Sequence, residues 1–287
     1  MLHGYAGTRD HGGGPHGLRS YGRDKSGTKL YRFNSLGFRG EEPDPRAAAT
    51  IFVCGCSHTF GTGLDAEEAW PHRFKLAWAE RRGLAADEVN LLNFSQGAAS
   101  NDYVARTLLA QCAEVRPDLV VAQFTSMNRA EAFADGEPFT IGPWLWPGAS
   151  LWRRFLAVPW AQKAAVLSRM RSAAGYARFY SPESGFANAV RNILLVQSAC
   201  RAMGIPCAIT WSEHELLRDP EFLANPALAS LVRLVDPGCV ADFGIRDPDV
   251  CVDAAADGRH AGPRTHAAFA ERLLAFVERA APEWRPS

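Results

Sequence analysis

The chain predicts an α/β fold in which helices cover both faces of a parallel sheet. Two observations carry that prediction. From residue 50 onward, short apolar runs end in turn residues, and stretches of helical spacing separate one run from the next.

Residues 1–30 precede the alternation. They are rich in Gly, His and Arg, show no apolar period, and read as an extended arm. Thr50-Ile51-Phe52-Val53-Cys54 is then a buried strand running into a turn at Gly55. Ala66 to Arg82 has helical spacing, with Trp70, Phe74, Leu76 and Trp78 among polar residues, and it stops near Gly83. Val89 to Phe94 predicts a second strand, Asn101 to Val115 a helix, and Leu119 to Phe124 a third strand. Ala187 to Met203 predicts a helix ending at Gly204, and Pro206 to Trp211 a fourth strand. Arg264 to Ala280 closes the chain as an amphipathic helix.

The segment at about 129–183 interrupts this order. It holds Trp144, Trp146, Trp152 and Trp160 beside Phe133, Phe139, Phe155, Phe179 and Tyr180, and Pro143, Pro147 and Pro159 break it up. It reads as an insertion, either a lid or substrate wall or a small helical subdomain with its own aromatic core. The expected organisation is an arm and lead-in over 1–49 and one α/β domain over 50–287 that carries the insertion.

Composition narrows the function classes. Lys plus Arg equals Asp plus Glu at 31 each, so no net field draws the chain to nucleic acid or anionic lipid. Seven irregularly spaced cysteines in 287 residues do not make a disulfide scaffold, and Cys54, Cys112, Cys200 and Cys207 sit in apolar runs as small core residues. The first residues lack an apolar signal core, and no stretch is long enough to span a membrane. The expectation is a cytoplasmic protein with a small-molecule substrate, no nucleic-acid partner and no membrane span. The oligomeric state is not legible.

Ligands of an open parallel sheet bind beyond the carboxyl ends of its strands. The first strand is followed there by Gly55-Cys56-Ser57-His58-Thr59-Phe60-Gly61, and the second by Ser95-Gln96-Gly97-Ala98-Ala99-Ser100-Asn101. The third is followed by Thr125-Ser126-Met127-Asn128-Arg129, and Asp257-Gly258-Arg259-His260 precedes the last helix. Acyl transfer needs such a set: a hydroxyl nucleophile, an imidazole base, a carboxylate to orient it, and donors for an oxyanion.

The four segments resemble the sequence blocks of the SGNH (GDSL-like) hydrolases. The resemblance covers about residues 31–128 and 187–280, and Asn34-Ser35-Leu36-Gly37-Phe38-Arg39-Gly40 is similar to a lead-in of that family. It implies a flavodoxin-like three-layer α/β/α sandwich with about five parallel strands. It further implies Ser57 as nucleophile, His260 as base and Asp257 as orienter, with the Ser57 amide, the Gly97 amide and the Asn128 side chain as oxyanion donors. No metal or organic cofactor is required.

Two positions depart from the family pattern. Cys56 stands where the motif has Asp, and the asparagine block reads Ser126-Met127-Asn128-Arg129 where GxND is usual.

Other readings stay open at this level. Ser57 can be a turn residue or helix cap, His266 an alternative base, and Asp253 an alternative orienter. Cys54, Cys56 and His58 would share one face if the strand stayed extended, but the turn at Gly55 breaks that metal-like pattern. His58, Arg129, Trp144 and Trp146 are candidate substrate contacts. The reaction expected is cleavage of an acyl ester through an acyl-Ser57 intermediate. The alternatives are acyl transfer to a sugar or natural product, or a non-catalytic binding protein on the same fold.

Overall fold

The computed structural model describes residues 21–23, 29–134, 137–142 and 180–280, with scattered positions between 156 and 175. Five strands form one parallel sheet: β3 (Ala49–Cys54), β4 (Val89–Asn93), β5 (Leu119–Phe124), β8 (Cys207–Trp211) and β9 (Val240–Gly244). Their spatial order is β4-β3-β5-β8-β9, which is the flavodoxin-like 2-1-3-4-5 order. That order reverses between β3 and β5, so a crevice opens beyond their carboxyl ends.

Each strand alternates its side chains between two cores. Phe52 and Cys54 of β3 point to one face, where they meet Phe94 just after β4, Tyr103 and Leu108 of α3 (Asn101–Glu114) and Phe186, Val190 and Ile193 of α4 (Pro182–Met203). Ile51 and Val53 point to the other, against Trp70, Phe74 and Trp78 of α2 (Trp70–Arg82) and Phe269 and Leu273 of the C-terminal helix Pro263–Ala280. Both faces of the inner strands are covered, which is why β3 and β5 read as nearly unbroken apolar runs. No helix among the described residues is long and apolar enough to cross a membrane.

The four predicted strands and the main helices form within a few residues of their expected bounds, except that α4 begins five residues before its predicted start. The fifth strand, β9, was not read from the sequence. It is an edge strand of five residues, Val-Ala-Asp-Phe-Gly, whose exposed Asp242 breaks any apolar run. The insertion opens with a hairpin of β6 (Ala130–Ala134) and β7 (Glu137–Ile141). Trp144 and Trp146 lie outside the described residues.

Part of the lead-in packs tightly against the domain. β1 (Tyr21–Arg23) and β2 (Leu30–Arg32) form an antiparallel pair. Tyr31, Phe33 and Phe60 make a small separate cluster. Phe38 joins the main core, where Phe38 and Phe52 each sit edge-on to Phe94 with centroids 4.9 Å apart. Such pairs add about 0.5–1.5 kcal/mol beyond simple burial. Residues 31–38 give little local sign of this, because three isolated aromatics, Tyr31, Phe33 and Phe38, do the packing.

Candidate active site

The turn after β3 delivers Ser57 to the crevice. Gly55 lets the chain bend there, since a Cβ at that position would collide with the Thr59 hydroxyl. Thr59 Oγ1 donates to Gln123 Oε1 at 2.7 Å, and Asn93 Nδ2 donates to the Thr59 carbonyl at 3.0 Å, so β5 and β4 both hold the turn from below. Ser57 begins the short helix α1 (Ser57–Phe60), with Cys56 as N-cap. Cys56 is 1% exposed and makes no side-chain cap bond, so backbone bonds hold the turn without the motif Asp: Phe60 N–H to Cys56 O at 2.9 Å and Gly61 N–H to Ser57 O at 3.0 Å.

Ser57 Oγ lies 2.9 Å from His260 Nε2, and His260 Nδ1 lies 2.5 Å from Asp257 Oδ2. The Asp257-to-His260 turn is built to give this geometry. Asp257 Oδ1 accepts the N–H groups of Arg259 and His260, each at 3.0 Å, and Gly258 takes a left-handed φ of +66°. Partial burial pushes the Asp257 carboxyl up. The two backbone N–H groups and the imidazole outweigh that and hold it below the usual carboxylate range. A carboxylate thus faces Nδ1 at neutral pH, which leaves Nε2 free to accept the Ser57 proton.

The loops after β4 and β5 border the same crevice. Gln96 N–H donates to Gly55 O at 3.2 Å, which ties the buried Gly97 turn to the Ser57 turn. Ala98, next to Gly97, is the one non-glycine residue with positive φ (+63°) among the described residues. Such a conformation costs of order 1–3 kcal/mol and survives only where surrounding structure holds it. Asn128 is exposed in the turn after β5. Arg129 is half-buried, with Nη1 3.3 Å from the Ala99 carbonyl. His58 is buried and packs edge-on to His260, with centroids 5.2 Å apart. Burial, then the neighbouring His260, holds its imidazole neutral, well below the ordinary histidine range.

Asp253, His266 and Cys54 make other contacts. Asp253 accepts from the backbone N–H of Arg264 and Thr265 at 3.0 and 2.8 Å, so it caps the last helix. His266 is 1% exposed, and its Nδ1 accepts the Trp70 N–H at 2.9 Å. Cys54 donates its thiol to the Phe94 carbonyl, and burial pushes that thiol up.

His266 carries a stability prediction. Burial pulls its imidazole down to about 3, so the folded protein keeps it neutral. The unfolded chain protonates first, near pH 6.5, so the contribution is complete above that pH and is lost as pH falls toward 3. The cost is up to roughly 5 kcal/mol. His266→Asn can still accept the Trp70 N–H but does not titrate there, so its melting temperature should fall less steeply than wild type between pH 7 and 4. His58 has the same sign and leaves a residual slope. Equal slopes for the two proteins would remove His266 from the account.

No protein-family model matches the sequence, and no curated protein matches it. Among solved structures, the chain is similar to TesA at 17% identity, covering 81% of this chain and 97% of that one, with a TM-score of 0.43. It is similar to the psychrotrophic esterase EstA from Pseudoalteromonas sp., in a structure inhibited by monoethylphosphonate, at 12% identity, 82% and 98% coverage and a TM-score of 0.41. It is also similar to a catalytic mutant of Axe2, an acetylxylan esterase from Geobacillus stearothermophilus, at 10% identity, 84% and 98% coverage and a TM-score of 0.41. The fold itself rests on the strand order of this chain.

Proposed function

We propose that the protein is a serine esterase of the SGNH kind, acting on a small-molecule ester with Ser57, His260 and Asp257 as its catalytic triad. One observation carries the reading: the unbroken chain of hydrogen bonds from Asp257 through His260 to Ser57. In this mechanism His260 Nε2 takes the Ser57 proton as Oγ attacks the ester carbonyl. The imidazolium, stabilised by the Asp257 carboxylate, then gives that proton to the leaving alcohol. Water, deprotonated by His260, cleaves the acyl-serine and regenerates the enzyme. The amides of Ser57 and Gly97 hold the oxyanion, with the Asn128 side chain as a further donor, each worth about 3–4 kcal/mol in the transition state. The interlocked turns of Gly55 and Gln96 support the first two, and position after β5 supports the third. Arg129, beside Ala99, borders the space an acyl or alcohol group occupies.

A fluorophosphonate probe tests the reading. An adduct located on Ser57 by peptide mass, lost in Ser57→Ala and strongly slowed in His260→Ala, is the expected result. A folded wild-type protein that forms no adduct, with either the fluorophosphonate or a smaller sulfonyl fluoride, would point to the non-catalytic alternative.

A further inference from the structure

The segment that carries Ser57 is gripped from behind by an arginine of the lead-in. Arg39 is 4% exposed, yet its hydrogen bonds go to carbonyl oxygens and not to a carboxylate. Nη1 donates to the carbonyls of Phe60 and Gly61, and Nη2 to that of Leu64, all at 2.6 Å. The guanidinium lies 4.3 Å from the Tyr31 ring centroid and 5.2 Å from that of Phe60, and those two rings meet edge-on at 5.1 Å. Tyr31 Oη accepts the Gly63 N–H at 2.8 Å. Two side chains from the lead-in therefore satisfy three carbonyls and one N–H within residues 60–64.

That stretch is the seam between the two halves of the site. Its near end is tied to Ser57, whose carbonyl accepts the N–H groups of Gly61 and Thr62, both at 3.0 Å. Its far end meets the loop of Asp257 and His260, where the Gly63 carbonyl accepts the Ala256 N–H at 3.4 Å. The fit around the guanidinium is tight. Gly61 has φ +77°, and a Cβ there would come within 2.9 Å of Arg39 Nη1 and 2.7 Å of Ala69 Cβ. A planar fork of fixed donors can hold three separate carbonyls at once, whereas the single Nζ of lysine cannot. Burial lowers the Arg39 guanidinium to about 10, which leaves it charged at neutral pH.

We propose that Arg39 is a positioning residue. Through the 60–64 loop it sets the approach of Ser57 to His260, and so governs the chemical step and not substrate binding. The proposal rests on the hydrolase reading of Ser57. Misplacement of a reacting group by about 1 Å costs on the order of a hundredfold in rate, and the hydrogen bonds of the brace run to the backbone of residues 60–64.

The test uses full-length wild type, Arg39→Lys, Arg39→Ala and Tyr31→Phe. Each is assayed for the rate of fluorophosphonate labelling at Ser57, for kcat, KM and pH profile on a short-chain p-nitrophenyl ester, and for melting temperature. Both Arg39 variants should lose about tenfold or more in kcat and in labelling rate, with KM and the shape of the pH profile retained. Millimolar guanidinium should restore rate to Arg39→Ala, whose cavity can admit it, and leave wild type and Arg39→Lys unchanged. If Arg39→Ala does not fold, Arg39→Lys and Tyr31→Phe decide the matter, since Tyr31→Phe removes the acceptor of the Gly63 N–H, keeps the ring, and should lower kcat in the same direction. Wild-type labelling with unchanged rates in the folded variants overturns the positioning role alone, as does a raised KM with kcat intact. Absence of any Ser57 adduct in wild type overturns the hydrolase reading and the positioning role with it.

Discussion

Replacing Ser57 with Ala is expected to lower kcat by roughly 10⁴- to 10⁶-fold, with KM little changed. The loss is large because, in the proposed mechanism, the hydroxyl supplies the bond-forming oxygen, and among the described residues its sequence neighbours offer no replacement. Cys56, one residue earlier, is 1% exposed. His58 is buried. The hydroxyl is half-exposed and its hydrogen bond runs to His260, so its removal should change stability by only about 0.5 kcal/mol. Steady-state kinetics on an activated ester, with a melting curve for each protein, separate the two effects. Retention of more than about a hundredth of wild-type kcat in a homogeneous sample would move the nucleophile elsewhere.

Asp257→Asn should cost about 10⁴-fold in kcat near neutral pH. The new side chain is nearly isosteric, and its Oδ1 can still accept the N–H groups of Arg259 and His260. The turn should therefore survive. What changes is the atom facing His260 Nδ1, where an acceptor becomes an NH₂ donor. The imidazole must then keep its proton on Nε2 and direct it at Ser57, so it cannot accept the serine proton. Nitrogen-15 NMR of the ring reads the tautomer directly. A normal tautomer with normal kcat would show that the carboxylate is dispensable. The stability effect has a definite sign as well. Because the Asp257 carboxyl is held below its ordinary value, its ionised form stabilises the fold above the usual carboxylate range. That contribution is lost as pH falls through the folded-state value. The wild-type advantage over the Asn variant should therefore be full at neutral pH and vanish in strong acid.

The sequence by itself determined the layered α/β class, because a doubly covered parallel strand must be apolar on both faces and so announces itself locally. It also pointed to Ser57, Gly97 and the Asp257-to-His260 spacing, since turns at strand ends are short and carry their chemistry within a few residues. The edge strand Val240–Gly244 and the hairpin from Ala130 to Ile141 were not legible, being short and partly exposed with little local period. Only the tertiary structure gives close alternatives different surroundings. His260 and His266 are six residues apart, and what separates them is that one meets Ser57 across 203 positions while the other is sealed against Trp70. Asp253 and Asp257 differ in the same way, the first capping a helix and the second facing an imidazole. Arg39 was visible only as a member of a lead-in; its part as a brace depends on carbonyls 21 to 25 residues away that no local pattern connects to it. Spacing along a chain encodes contacts made within a turn or a helix, whereas burial and the pairing of distant polar groups are settled when the sheet brings its loops together.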